Sequence, residues 1–151
     1  MLNNEPCDIQ TYNDLKNIFS QFAMLCEETL LEENHLIISY EYEQDITINL
    51  SVQGQPLDIS FSMAMTDKEE TLGKLNFSRI NMVKKRENIW TLYFDRKGNT
   101  RYSLNGFNSI YDIIKKESIQ LLFVHLLTLY VRKNQLSYLN GNEECLTNKF
   151  S

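Results

Sequence analysis

The sequence predicts an α+β fold: a mainly antiparallel meander sheet of five or six strands, an N-terminal helix, and a long buried C-terminal helix. Three observations predict it. Apolar residues recur at three- and four-residue steps near the N-terminus, alternate with polar ones from Leu36 to Leu104, and form an almost continuous block over 119–131. The runs in the alternating region are joined by connections too short for a parallel crossover, which needs a dozen residues or more, so neighbouring strands must be antiparallel.

The N-terminal helix follows from the stripe Tyr12, Leu15, Ile18, Phe19, Phe22, Leu25, Cys26 and Leu30. Thr11 or Asn13 can cap it, and Asp14 stands in the first turn, where the helix dipole favours an anion. From Leu36 the period becomes two. Leu36, Ile38, Tyr40 and Tyr42 mark a first strand, Ile46, Ile48, Leu50 and Val52 a second, and after the turn residues Gly54-Gln55-Pro56 the set Leu57, Ile59, Phe61, Met63 and Met65 marks a third. Thr66 or Asp67 can cap a short helical turn ended by Gly73. Leu75, Phe77, Ile80 and Met82 resume an extended pattern whose phase slips after Phe77, as at a β-bulge. Trp90, Leu92 and Phe94 form the next inward set, Asp95 to Asn99 reads as a hairpin loop, and Tyr102 and Leu104 close the last strand.

Asn105-Gly106 is a turn, Asn108 or Ser109 can cap, and Ile110, Ile113 and Ile114 are expected to open the C-terminal helix, with a possible break at Lys116-Glu117-Ser118. Over 119–131 that helix is apolar on almost every side, so it should be buried against the sheet and against the first helix. Gly141 is its expected end. The chain then divides into a short lead (1–10), one domain (11–141) and a flexible tail (142–151). This length suits a single core burying roughly 70% of the unfolded surface.

Composition and motifs narrow the function classes. The apolar block falls short of the ~20 residues that span a bilayer, and the first ten residues carry Glu5 and Asp8 rather than a basic cluster before an apolar stretch, so a cytoplasmic, non-membrane protein is expected. Cys7, Cys26 and Cys145 are odd in number and lack ligand spacing, which argues against a disulfide framework and a metal site. No glycine-rich phosphate loop and no nucleophile elbow is present. Of the two histidines, His125 lies inside the apolar block, where a hydrogen-bonded core role is expected, and His35 stands at a helix-to-strand junction. The reading is therefore of a chain with no catalytic residue, no cofactor and no metal.

Charge is the unusual feature. Up to Leu75 the chain holds 14 acidic residues against three lysines, a net −11; from Asn76 it holds 12 basic against six acidic, a net +6. The halves can interleave so that the signs pair, or the first can form an acidic face that steers a basic partner and repels nucleic acid. Glu27, Glu28, Glu32, Glu33, Glu41 and Glu43 are the candidate partner-binding carboxylates, with Tyr93 as an outward aromatic anchor because Trp90, Leu92 and Phe94 take the other face. Lys84-Lys85-Arg86, with Arg96, Lys97 and Arg101, is a basic cluster that a nucleic-acid backbone could use, but the overall pI near 5.1 argues against that partner.

The element order resembles the α+β plan of the class I type III secretion chaperones, and that resemblance, of topology alone, implies a dimer holding an unfolded effector segment. Small acidic α+β domains are also a common form of bacterial immunity proteins and phage-encoded inhibitors. The expectation is a non-enzymatic, protein-binding inhibitor that covers a basic surface of its partner. The alternatives are an acidic secretion-chaperone-like dimer and a small enzyme, with the oligomeric state left open.

Overall fold

The computed structural model describes residues 9–32, 41–43, 47–52, 55–80 and 83–150, with side chains over 9–29, 47–50, 56–80 and 83–133. The elements run α1 (Ile9–Glu32), β1 (Glu41–Glu43), β2 (Thr47–Val52), β3 (Gln55–Met65), β4 (Thr71–Ile80), β5 (Arg86–Phe94), β6 (Asn99–Arg101), β7 (Asn108–Asp112) and α2 (Lys116–Phe150). The strands form one sheet in chain order, every neighbouring pair antiparallel. The α+β meander between two helices is thus what the sequence predicts, with a seventh strand added at the β7 edge.

Alternation fills one face of the sheet with Ile48, Leu50, Leu57, Ile59, Phe61, Leu75, Phe77, Leu92 and Phe94, all buried. Both helices cover this face. Leu15, Phe19, Phe22 and Cys26 of α1 and Ile119, Leu122, Phe123, Leu126 and Tyr130 of α2 join the same core. Phe61 sits at its centre, with ring centroids 5.4 Å from Phe19 and 5.9 Å from both Tyr12 and Phe94. The other face is polar, with Asn49 opposite Asp58, Ser60 opposite Asn76, and Lys74 opposite Tyr93.

The phase slip after Phe77 is a real irregularity: the β4–β5 register shifts between Phe77 and Ser78. Asp95 closes the β5–β6 turn by accepting the backbone N–H groups of Lys97 and Asn99 at 2.9 and 3.1 Å, and Gly98 takes a positive φ of 89°. This is the hairpin that the residue types require.

Several local expectations fail. Residues 66–70 form a tight turn in place of a helical one: the Thr66 hydroxyl accepts the Glu70 N–H at 3.0 Å, and Glu69 has a φ of 64°, which ends any helix before it propagates. Gly73 lies inside β4, directly opposite Phe94, where a Cβ would overlap the Phe94 ring. Tyr102 and Leu104 fall in a bend after β6. Asn108, Ser109 and Ile110 belong to β7 rather than to a helix start. Their apolar spacing imitates a helix, but Tyr111 and Ile113 are buried while Ile110 is exposed, and the Ser109 hydroxyl bonds Thr100 across the ladder. The helix begins at Lys116, where a break was expected, and its backbone passes through Gly141 to Phe150; one glycine costs an interior helix only about 1 kcal/mol. Thr11, expected as a cap, is buried within α1 and accepts a hydrogen bond from Arg96 at 2.6 Å. Most of the first expected strand, 36–40, lies outside the described residues.

Candidate protein interface

Periodicity places Leu15, Phe19, Phe22 and Cys26 on the buried side of α1, and it therefore turns Met24, Glu27 and Glu28 outward. All three are exposed, Met24 by 61%. Among the described residues neither glutamate has an ion pair, and the last turn of α1 contains no basic residue. The helix dipole adds partial negative charge at this end. An acidic patch with one apolar side chain results, unneutralised from within the described molecule.

The other candidate carboxylates are less fully described. Glu32 is the last residue of α1 and its side chain, like those of Glu41 and Glu43, lies outside the described part; Glu33 lies outside altogether. The β1–β2 register sets Glu41 opposite Asn49 and Glu43 opposite Thr47. Tyr93 stands apart. It projects from the face of the sheet opposite to α1, half-buried between its cross-strand neighbours Lys74 and Arg101, so it does not join Glu27 and Glu28 in one patch.

The two charge halves do interleave elsewhere. Arg96 approaches Asp14 at 3.5 Å, Arg86 holds Asp58 at 2.9 Å, and Arg101 holds Glu70 at 3.0 Å, each pair joining the acidic half to the basic one. Within the second half Glu87 lies 3.6 Å from Arg79 and 3.5 Å from Lys133. These contacts engage three arginines of the basic cluster and remove much of what it could offer a phosphate backbone. Lys84, with a φ of 61°, and Lys85 remain exposed in the β4–β5 turn.

Groups with chemical potential are structurally committed. Burial pushes the Cys26 thiol well above its usual pKa, which suits a packing role and not a nucleophile. His125 is held by Tyr111, whose hydroxyl lies 2.7 Å from Nδ1, and its ring packs 4.6 Å from that of Trp90. It is the hydrogen-bonded histidine that its apolar neighbourhood implies. Among the described residues no group of three or more His, Cys, Asp or Glu could hold a metal ion, and no helix is long and apolar enough to cross a membrane. Cys7 and His35 lie outside the described residues, and so does the side chain of Cys145.

One surface escaped the sequence reading. The outward side of α2 exposes Leu121 by 57%, Val124 by 63% and Val131 by 45%, a surface that the expected burial against the sheet and the first helix leaves uncovered. The signal was present in the block 119–131 itself: a single sheet and a single neighbouring helix cannot cover every side of it.

No protein-family model, curated protein or solved structure matches the chain.

Proposed function

We propose that the chain is a non-enzymatic, protein-binding domain of the inhibitor type, whose acidic end of α1 seats on a basic surface of a partner protein. The observation that carries this reading is the contrast between carboxylates. Asp14, Asp58 and Glu70 are matched by arginines, whereas exposed Glu27 and Glu28 flank exposed Met24 at a helix C-terminus with no internal cation among the described residues. Placing like charges at the negative end of a helix dipole costs stability and offers no packing in return. A basic partner would relieve that cost on docking, with Met24 supplying an apolar contact inside a charged rim.

The test is capture from the native host by tagged protein, wild type beside the Glu27→Lys, Glu28→Lys double variant. Both positions are exposed, so the variant should keep its circular dichroism spectrum and melting behaviour. The reading expects a protein with a basic surface bound by the wild type and lost by the variant. An identical set of bound proteins on both baits would reject it.

A further inference from the structure

We propose that the outward face of α2 pairs with the same face of a second copy of this chain, the two helices antiparallel. Leu121, Val124, Thr128 and Val131 are all exposed and follow one another at steps of three, four and three, the spacing of a coiled-coil seam. The last three border a shallow groove of about 490 Å³ lined by Val124, Leu127, Thr128, Val131 and Arg132. The Thr128 hydroxyl donates to the Val124 carbonyl at 2.9 Å, so this polar group needs no partner and does not interrupt the seam.

Two features name a second copy as the occupant. The spacing reads the same in both directions, so an antiparallel copy turned about a two-fold axis near Leu126 sets Leu121 against Val131 of its mate and Val124 against Thr128. The charges are self-complementary in that orientation: exposed Glu117 stands before the seam and exposed Arg132 after it, and neither has an ion pair among the described residues. The two-fold operation brings Glu117 of one chain within about three residues of Arg132 of the other, ~4.5 Å along the axis and within reach of an arginine side chain. A parallel pair would set Glu117 against Glu117. An isologous contact of this kind closes on itself and leaves no patch for further growth. Lys133 takes no part because it already contacts Glu87.

The seam spans about ten residues, ~15 Å of helix. Its four exposed side chains per copy are far fewer than the roughly 20 to 30 residues a side of a standard stable interface, so the dimer should be weak and concentration-dependent. The site lies on α2 and is independent of the acidic end of α1.

Sedimentation equilibrium over a wide range of protein concentration tests the proposal. The wild type should move from the 17.8 kDa of one chain towards twice that mass as concentration rises. Val124→Glu, at an exposed position that leaves the core untouched, should remain at the single-chain mass with an unchanged circular dichroism spectrum. Glu117→Arg and Arg132→Glu should each weaken association several-fold, and the double variant, with both signs exchanged, should recover it. Single-chain mass for the wild type at every concentration would overturn the proposal, as would association indifferent to Val124→Glu or a double variant no better than the singles.

Discussion

Gly73 shows how a single residue type is decided by a neighbour far along the chain. In the linear sequence it follows a polar stretch and looks like a helix stop. In the sheet it lies opposite Phe94, whose ring occupies the space where a side chain would be. Gly73→Ala should therefore force the ring aside and cost about 1 to 3 kcal/mol in denaturant unfolding, and a variant as stable as wild type would show that the ring does not lie there. Tyr111 offers a pH-dependent counterpart. Burial raises its hydroxyl above the ordinary tyrosine pKa near 10, and the charge and hydrogen bond of neighbouring Tyr102 push it the same way. A raised folded pKa means the native state holds the proton more tightly. The contribution is complete below the unfolded value and is lost as pH rises through the folded one. Tyr111→Phe should flatten the alkaline fall in stability while costing about 0.5 to 1.5 kcal/mol at neutral pH through the lost His125 bond. An alkaline slope identical to wild type would contradict this assignment.

At the scale of elements, legibility followed the length and purity of the period. The α1 stripe and the alternations of β2 and β3 were clear because four or more positions repeat one rule, and the β4 bulge was visible as a break in that rule after Phe77. Short elements were not readable. Five residues of β7 carry Ile110 and then, in the following turn, Ile113 and Ile114, a spacing that fits a helix as well as a strand; burial of Tyr111 against Trp90 and His125 and the Ser109–Thr100 contact across the ladder separate the two. The turn at 66–70 was missed because a left-handed Glu69 has no residue signature. The exposed outward side of α2 was not foreseen, but its burial on the side that meets the sheet and α1 was. Leu122 lies on that side with none of its surface exposed, so Leu122→Asp should unfold the protein or cost roughly 3 to 5 kcal/mol by leaving a buried charge unpaired. A stably folded variant would mean that this face of α2 does not meet the sheet.

For the whole molecule, the division into an acidic and a basic half was visible in the sequence, but its meaning depended on topology. A meander in chain order between two helices leaves only β4 between β3 and β5, so arginines late in the chain reach carboxylates early in it, and Asp14, Asp58 and Glu70 are matched across the two halves. What remains unmatched was not predictable from counting, because Glu27 and Glu28 differ from Asp58 only in what folds next to them. Tyr93 makes the same point in reverse: its outward direction was legible, yet its neighbours, Lys74 and Arg101, are basic and lie across the sheet from α1. Among the described side chains Glu27 and Glu28 mark the acidic end of α1, while Asp67 and Glu69 are likewise exposed without an ion pair at the β3–β4 turn; the proposed use of the α1 end rests on long-range attraction, which salt screens.

The most direct test of that use is the association rate of the captured partner as a function of ionic strength, for wild type and for the Glu27→Lys, Glu28→Lys variant. The account predicts a wild-type rate that falls steeply with added salt and a variant that associates at least about tenfold more slowly at low salt, with the dependence flattened. Equal rates and equal salt dependence for the two proteins would contradict it.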